Sequence, residues 1–473
     1  MNFVQAEFLW FFGIVFTLYW AFPRRSWQRL WQNVLLTVAS AVFYGWVHPW
    51  FLGLLYVSAI IDYAGGLGMR RYPAHKKAVL TVTLLSNLAL LGYFKYFDFF
   101  VENVAAALGA LGVDNSLAPL GIFLPAGISF YTFQSMAYSI DVYRNELEPR
   151  KNLLDYLLAV SLFCHLVAGP VQRASNLLMQ AETPRVFSWA MVRSGFALAM
   201  WGAATKIVVA DTLSPYVDKI YALPSPSTPL LAAGTLAFAV QILADFAGYS
   251  NIARGTARML GFELMLNFDA PYMAKNPSEF WRRWHISFSS WIRDYVYIPL
   301  GGSRGSYARV QANTIAAMVI SGIWHGASWN FALWGLYHGL LQVGYRLVTP
   351  RIPKSLQAMP GAGAIAIAIM FGFTLFGWFL FRALELHRIA IVLAQDPFAF
   401  PADQQVATVV VLAVTLACAA PLVLAHILER RVVPALARTQ WWLPAQTTAW
   451  AVFALAMFTF VRMSAADFIY FAF

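Results

Sequence analysis

The sequence predicts an all-α, polytopic integral membrane protein, and three observations predict it. Apolar runs of about 18 or more residues, each long enough to cross a bilayer as a helix, recur from end to end. Only 12% of positions are charged against 60% hydrophobic, too little polar surface to cover a soluble globule of 473 residues. The runs do not alternate over about ten residues as the strands of a transmembrane barrel would, which excludes that architecture.

Candidate spans cover residues 7–23, 30–47, 50–69, 78–100, 119–141, 153–171, 190–210, 229–249, 311–324, 329–347, 361–382, 405–428 and 446–463. About eleven true crossings are expected, with the other runs forming short re-entrant or interfacial helices. Outside the spans no segment is long enough for a soluble domain, and no internal repeat is visible. The whole of 1–473 therefore reads as one transmembrane domain. The opening MNFVQAEF lacks the basic region and small-residue cleavage site of a signal peptide, so the first span is expected to stay as an anchor. Cys164 and Cys418 lie within apolar runs without metal-ligand or disulfide-framework spacing and read as packing residues.

The net charge of +11 is informative through its placement. Arg24, Arg25 and Arg29 follow the first span, Arg70, Arg71, Lys76 and Lys77 the third, and Arg144, Arg150 and Lys151 the fifth. The alternating turns, around His48 and Asp114, carry almost no basic residues. The positive-inside rule then places the N-terminus outside and the basic loops in the cytoplasm. Because these charges flank spans instead of forming one patch, they report topology and not nucleic-acid binding.

Chemistry concentrates between Asn276 and His325. Asn276, Pro277 and Glu279 form a helix start: asparagine caps, proline suits the first helical position, and the glutamate can reach back to a free backbone N–H. On the helix expected to follow, Trp281, Trp284, His285, Phe288, Trp291, Ile292 and Tyr295 share one face at spacings of three and four, with Arg283, Ser290 and Asp294 on the other. A stretch too charged to span and too aromatic for a solvated loop reads as an interfacial or re-entrant helix, so His285 faces protein or a cavity. His325 sits deeper, between the apolar runs 318–323 and 331–336, flanked by Gly322 and Gly326, whose lack of side chains lets another helix or a substrate approach. Burial favours the neutral imidazole, the form that accepts a proton. Against these stand structural readings: a carbonyl-bonded core histidine within a tryptophan belt for His285, and an incidental histidine in a glycine-packed helix pair for His325.

His338, His165, His48, His75, His387 and His426 have weaker local cases and read as structural or interfacial. Asp245 and Asp62, in or at the ends of apolar runs, are carboxylates that could pair with a base or orient an imidazole. Lys95 is expected to pair with Asp98 or to reach an interface. Gly301, Gly302 and Gly305 around Arg304 could cradle a phosphate, although a flexible cytoplasmic turn is the favoured reading. No serine-hydrolase elbow, zinc helix, P-loop or dinucleotide fingerprint competes, and no metal site is evident.

The blocks FWRRWHIS, WIRDYVYIPLGG and GIWHGASWNFALWGLYHG together resemble the membrane-bound O-acyltransferase superfamily, most closely its bacterial branch containing the alginate O-acetyltransferase. Upstream, LPAGISFYTFQSMAYSIDVYR, HLVAGPVQR and ILADFAGYS match further blocks in the same order, so the resemblance covers nearly the whole chain. It implies a fold built around a central channel in a bacterial inner membrane. It also implies that His325, in the W-H-G block, is the catalytic histidine and that His285, in R-W-H-I-S, is the second active-site histidine. Trp324, Asp245, Trp284, Asn330 and Gln134 are the candidates for lining the channel, and Arg304 and Arg309 for meeting the donor.

The implied donor is an acetyl-CoA or acyl-carrier thioester from the cytoplasm, with no bound cofactor. The implied partners are a periplasmic or membrane esterase-like acetyltransferase and a polysaccharide synthase complex, with no nucleic acid. One departure stands out: Asn251 follows GYS where the alginate branch is expected to carry an acidic residue, with Arg254 just beyond. Peptidoglycan, teichoic acid, lipid or protein therefore stay open as alternative acceptors. On the residues alone, a transporter or proton channel using the histidines as a relay is also allowed.

Overall fold

The structure, a computed structural model, describes residues 1–21, 26–167, 169–383 and 385–460. Arg24 and Arg25 and the last three residues of the final predicted span, 461–463, lie outside the described residues. Secondary structure among the described residues is helical, with no strand. Among the described residues, seven helices are long and apolar enough to cross a membrane, from Phe51–Arg71 to Trp442–Phe460, and Ala6–Trp20 is a shorter apolar helix. The chain divides into two compact units, Met1–Phe196 with Ala253–Met265, and Ala197–Ile252 with Leu266–Phe473.

The first unit is organised by the helix Ile128–Arg144, buried along almost its whole length despite carrying Ser129, Thr132, Gln134, Ser135 and Ser139. Polar groups on a buried membrane helix must find partners inside the protein. Asp62, on the helix Phe51–Arg71, supplies one: its carboxylate accepts from Ser139 Oγ and from Asn87 Nδ2 of the helix Lys76–Leu91. One carboxylate thus ties three helices together. Gln134 donates to the carbonyl of Ala159 at 2.7 Å. Lys95 reaches Ser129 Oγ at 3.5 Å, while the Asp98 carboxylate accepts the backbone N–H groups of Leu120 and Ile122.

Two predicted spans in this unit are not continuous helices. In 119–141 the helix begins only at Ile128, because Gly121 and Gly127 adopt positive φ (66° and 77°) and Pro125 lies between them. A side chain at Gly127 would strike the carbonyl of Leu166, 2.6 Å from its Cβ position, so this entry turn requires glycine. The run 153–171 breaks at Leu162, where ψ of 116° ends the helix Leu153–Ser161, and a short turn Phe163–Leu166 follows.

In the second unit the spans predicted at 311–324, 329–347 and 361–382 become the helices Tyr307–His325, Trp329–Val348 and Ala362–Arg382. The first two form a tight antiparallel pair. A Cβ on Gly335 would lie 2.9 Å from Val319 Cα, and one on Gly322 would lie 3.0 Å from Gly335 Cα, so the backbones touch through glycine as small-residue membrane packing requires. A helix ladder also passes through a π turn at Thr205–Ala210, where the buried Lys206 holds Asp211 at 2.7 Å and Asp245 at 2.9 Å.

Candidate active site

The segment after Asn276 starts as its sequence requires. Asn276 Oδ1 accepts the N–H of Glu279 at 2.8 Å, Pro277 takes the first helical position, and Glu279 Oε2 accepts the N–H of Lys275 at 2.9 Å. Glu279 also holds Arg283, one turn on, at 2.8 Å. The single helix expected from here to Tyr295 is corrected by the structure. Helix Pro277–Arg283 stops, Trp284 is extended, and His285 adopts φ of 42° before a second helix, Ile286–Ile292, begins.

The cause lies upstream in the chain. Asp269 N–H donates to Arg283 O at 3.0 Å and Ile286 N–H donates to Asn267 O at 2.9 Å, diverting two backbone groups that a continuous helix would use internally. Asn267 is itself fixed, donating to Ser250 Oγ at 3.0 Å and accepting from Ser287 Oγ at 2.6 Å. A non-glycine residue in the left-handed region costs roughly 1–3 kcal/mol, and such strain clusters at functional sites.

The kink delivers the His285 ring into an aromatic cage. Phe246 meets it edge-on at 4.6 Å, Phe288 lies at 5.1 Å, Trp324 at 6.2 Å and Phe268 at 6.5 Å. The residue is 1% exposed, and neither ring nitrogen has a hydrogen-bond partner among the described residues. It lies outside the seven apolar spans, and burial pushes its pKa below the ordinary value, keeping the ring neutral.

His325 is the last residue of its helix and is 4% exposed. Its ring packs against Trp324 at 5.0 Å, Trp334 at 5.1 Å, Phe381 at 5.2 Å and Phe288 at 5.7 Å. Phe288 and Trp324 are stacked at 4.1 Å. The two histidines, 40 positions apart in sequence, thus share the Phe288 ring.

The other predicted site residues divide. Trp324 belongs to the shared aromatic pair. Asn330 donates to the carbonyls of Phe381 at 3.2 Å and Leu380 at 3.5 Å, left over at the end of helix Ala362–Arg382, and so anchors the Phe381 ring that touches His325. Trp284 packs behind the kink against Trp378 at 4.7 Å. Asp245 forms its ion pair with Lys206, while its neighbour Phe246 meets His285. Gln134 and Asp62 belong to the first unit. Arg304 and Arg309 are exposed, in and just after the glycine turn.

A cavity of about 390 Å³ opens within the second unit, lined by Trp281, Ile286, Ser289, Met318 and Ser321 from the segments that carry the histidines. Its cationic residues are Arg282, Arg293 and Arg346, and Arg304 and Arg309 do not line it. Arg346 donates to Thr314 Oγ1 at 2.9 Å, and Arg293 pairs with Asp294 at 2.7 Å. His338 reads from the sequence as structural or interfacial. It is buried, with Trp334 at 4.8 Å and the cavity-lining Trp281 at 5.1 Å. The four-residue spacing Asn330, Trp334, His338 was the available signal, since it puts all three on one helical face.

A model of the membrane-bound O-acyltransferase family matches residues 74–385, a stretch that contains both histidines and the whole aromatic cluster. The chain belongs to that family. It is 38% identical over 393 residues to the probable alginate O-acetylase AlgI of Azotobacter vinelandii, covering 82% of this chain and 76% of that protein. The peptidoglycan O-acetyltransferase of Helicobacter pylori is 31% identical over 412 residues, covering 81% and 77%. The teichoic acid D-alanyltransferase of Bacillus subtilis is more distant, at 25% over 278 residues and covering 55% and 69%. As a member of the membrane-bound O-acyltransferase family with several apolar helices, the chain is a multi-pass membrane acyltransferase, related to proteins named as O-acetyltransferases.

Proposed function

We propose that the chain moves an acetyl group from a cytoplasmic thioester to hydroxyls of an exported polysaccharide, with His325 as the general base. The observation that carries this reading is the shared Phe288 ring, which both imidazoles touch among buried aromatic side chains. The acceptor hydroxyl gives its proton to the His325 imidazole as its oxygen attacks the thioester carbonyl carbon. The C–S bond then breaks, and the departing sulfur takes the proton back.

General-base assistance of this kind contributes on the order of a hundredfold to ten-thousandfold, and a site that holds both reactants away from water adds more. The position of His325 at the C-terminal end of its helix favours the transient imidazolium, because the helix dipole is negative there. His285, neutral and donating through one ring N–H, orients the acceptor or stabilises charge at the carbonyl.

The cavity lined from the segments that carry the histidines supports a donor that carries phosphate or is presented by an acidic carrier. Arg282, Arg293 and Arg346 are the cations placed to meet it, in preference to Arg304 and Arg309. Acetyl-CoA and an acyl carrier protein both satisfy that chemistry. The relatives named for alginate and peptidoglycan favour sugar hydroxyls as acceptors. An esterase-like partner outside the membrane and a polysaccharide synthase complete the assembly, in a bacterial inner membrane with the N-terminus outside.

Purified protein reconstituted with labelled acetyl thioester, partner and polysaccharide tests the reading. His325→Ala is expected to abolish transfer while membrane insertion and expression stay intact, and normal acetylation by that variant would remove His325 from the role.

A further inference from the structure

Helical hydroxyls near the site fold back onto their own helices: Thr314 donates to Val310 O at 2.9 Å and Thr374 to Met370 O at 2.8 Å. Ser321 does not. It is 2% exposed and lines the 390 Å³ cavity. Its hydroxyl has no hydrogen-bond partner among the described residues and is not sealed within the packing, so it opens onto the cavity. It precedes His325 by four residues on one helix, and positions i and i+4 share a face.

We propose that Ser321 is a further catalytic residue, donating its O–H to the carbonyl oxygen of the thioester. This rests on the acyl-transfer reading above. As the acceptor oxygen bonds to the carbonyl carbon, the C=O π pair moves onto oxygen and the acceptor's proton goes to His325. The Ser321 hydroxyl bonds to that oxyanion until the pair returns and the C–S bond breaks. The hydroxyl proton stays on Ser321 throughout. A donor already in place need not reorganise as the charge forms.

The absence of a partner also makes the inference separable from folding. A hydroxyl that bonds nothing in the resting protein contributes no hydrogen bond to stability, so Ser321→Ala leaves the fold as stable as before. The experiment measures thiol release from acetyl thioester by the full-length protein in liposomes with its acceptor, alongside thermal unfolding. Expected for Ser321→Ala is a fall in kcat of about a hundredfold to a thousandfold, with the donor KM within a few-fold and the unfolding temperature unchanged. Ser321→Thr, which keeps the hydroxyl, is expected to recover most of the rate.

Wild-type kcat in Ser321→Ala, or a kcat loss matched by a lowered unfolding temperature, overturns the proposal. So does a threonine variant as slow as the alanine one. If the wild type releases no thiol with acceptor present, the acyl-transfer reading has failed; if His325→Ala is as active as the wild type, only the role of His325 as base has failed. If His325→Ala is dead and Ser321→Ala is not, only the role of Ser321 has failed.

Discussion

Asp62 in the first unit and His285 in the second are buried alike, at 0% and 1% exposure, and are provided for in opposite ways. Both oxygens of Asp62 accept hydrogen bonds, from Ser139 and Asn87, and Asn87 in turn accepts from Ser58 at 2.6 Å. Both nitrogens of His285 go without a partner among the described residues, inside a ring of Phe246, Phe268, Phe288 and Trp324. An unbonded buried polar group costs about 1–3 kcal/mol, so a fold that can satisfy one buried group and leaves another bare is reserving the second for something that binds. Under the proposed acyl transfer, the carboxylate of Asp62 holds helices together and the bare nitrogens of His285 are left to meet a substrate.

The comparison breaks most visibly if Asp62 is removed. Asp62→Ala leaves Ser139 and Asn87 with donors aimed at nothing, in the interior of a membrane helix cluster. The expected loss is about 3 kcal/mol, read as a large drop in unfolding temperature or in monodisperse yield in detergent. Per molecule still folded, the acyl-transfer rate is expected to stay near that of the wild type. A variant that folds normally but transfers no acetyl would put Asp62 on the functional side of the divide.

His285→Phe is the reciprocal change. The aromatic ring refills the cage and two unpartnered nitrogens disappear, which offsets the added strain of phenylalanine at φ of 42°. Stability is expected to move by no more than about 1 kcal/mol, while kcat falls at least tenfold through the loss of an N–H donor. Retained transfer together with lost stability would make His285 a packing residue after all.

The sequence already carried much of this contrast. Helix content, the paired helices Tyr307–His325 and Trp329–Val348, and both histidines were legible, because hydrophobic run length and ionisable groups in apolar surroundings are local properties. The kink at His285 was not, because its cause is the pairing of Arg283 and Ile286 with Asp269 and Asn267, well away along the chain. The face drawn through Trp281, Trp284 and His285 presumed a continuous helix, which tertiary hydrogen bonds interrupt. The cations that line the cavity were not legible for a similar reason. Arg304 and Arg309 stood out in a glycine-rich turn, whereas Arg282, Arg293 and Arg346 come together only when three separate helical segments fold around one cavity.

The smallest expected effect tests whether satisfied groups at the edge of the site itself still behave like Asp62. Asn276 bonds the N–H of Glu279 at 2.8 Å and so closes the first turn of the helix that carries Trp281 and Arg282 to the cavity. Asn276→Ala removes that bond, and Glu279 retains its hold on Lys275 N–H and Arg283, so the helix frays without dissolving. The expected cost is about 1 kcal/mol of stability, checked by thermal unfolding in detergent. kcat is expected to stay within about twofold, since the cap touches neither imidazole and the kink is held independently by Asn267 and Asp269. A tenfold fall in kcat without a change in stability would mean that the position of Trp281 and Arg282, and not only their presence, sets the rate. The division between structural and waiting groups would then run through the helix Pro277–Arg283 and not around it.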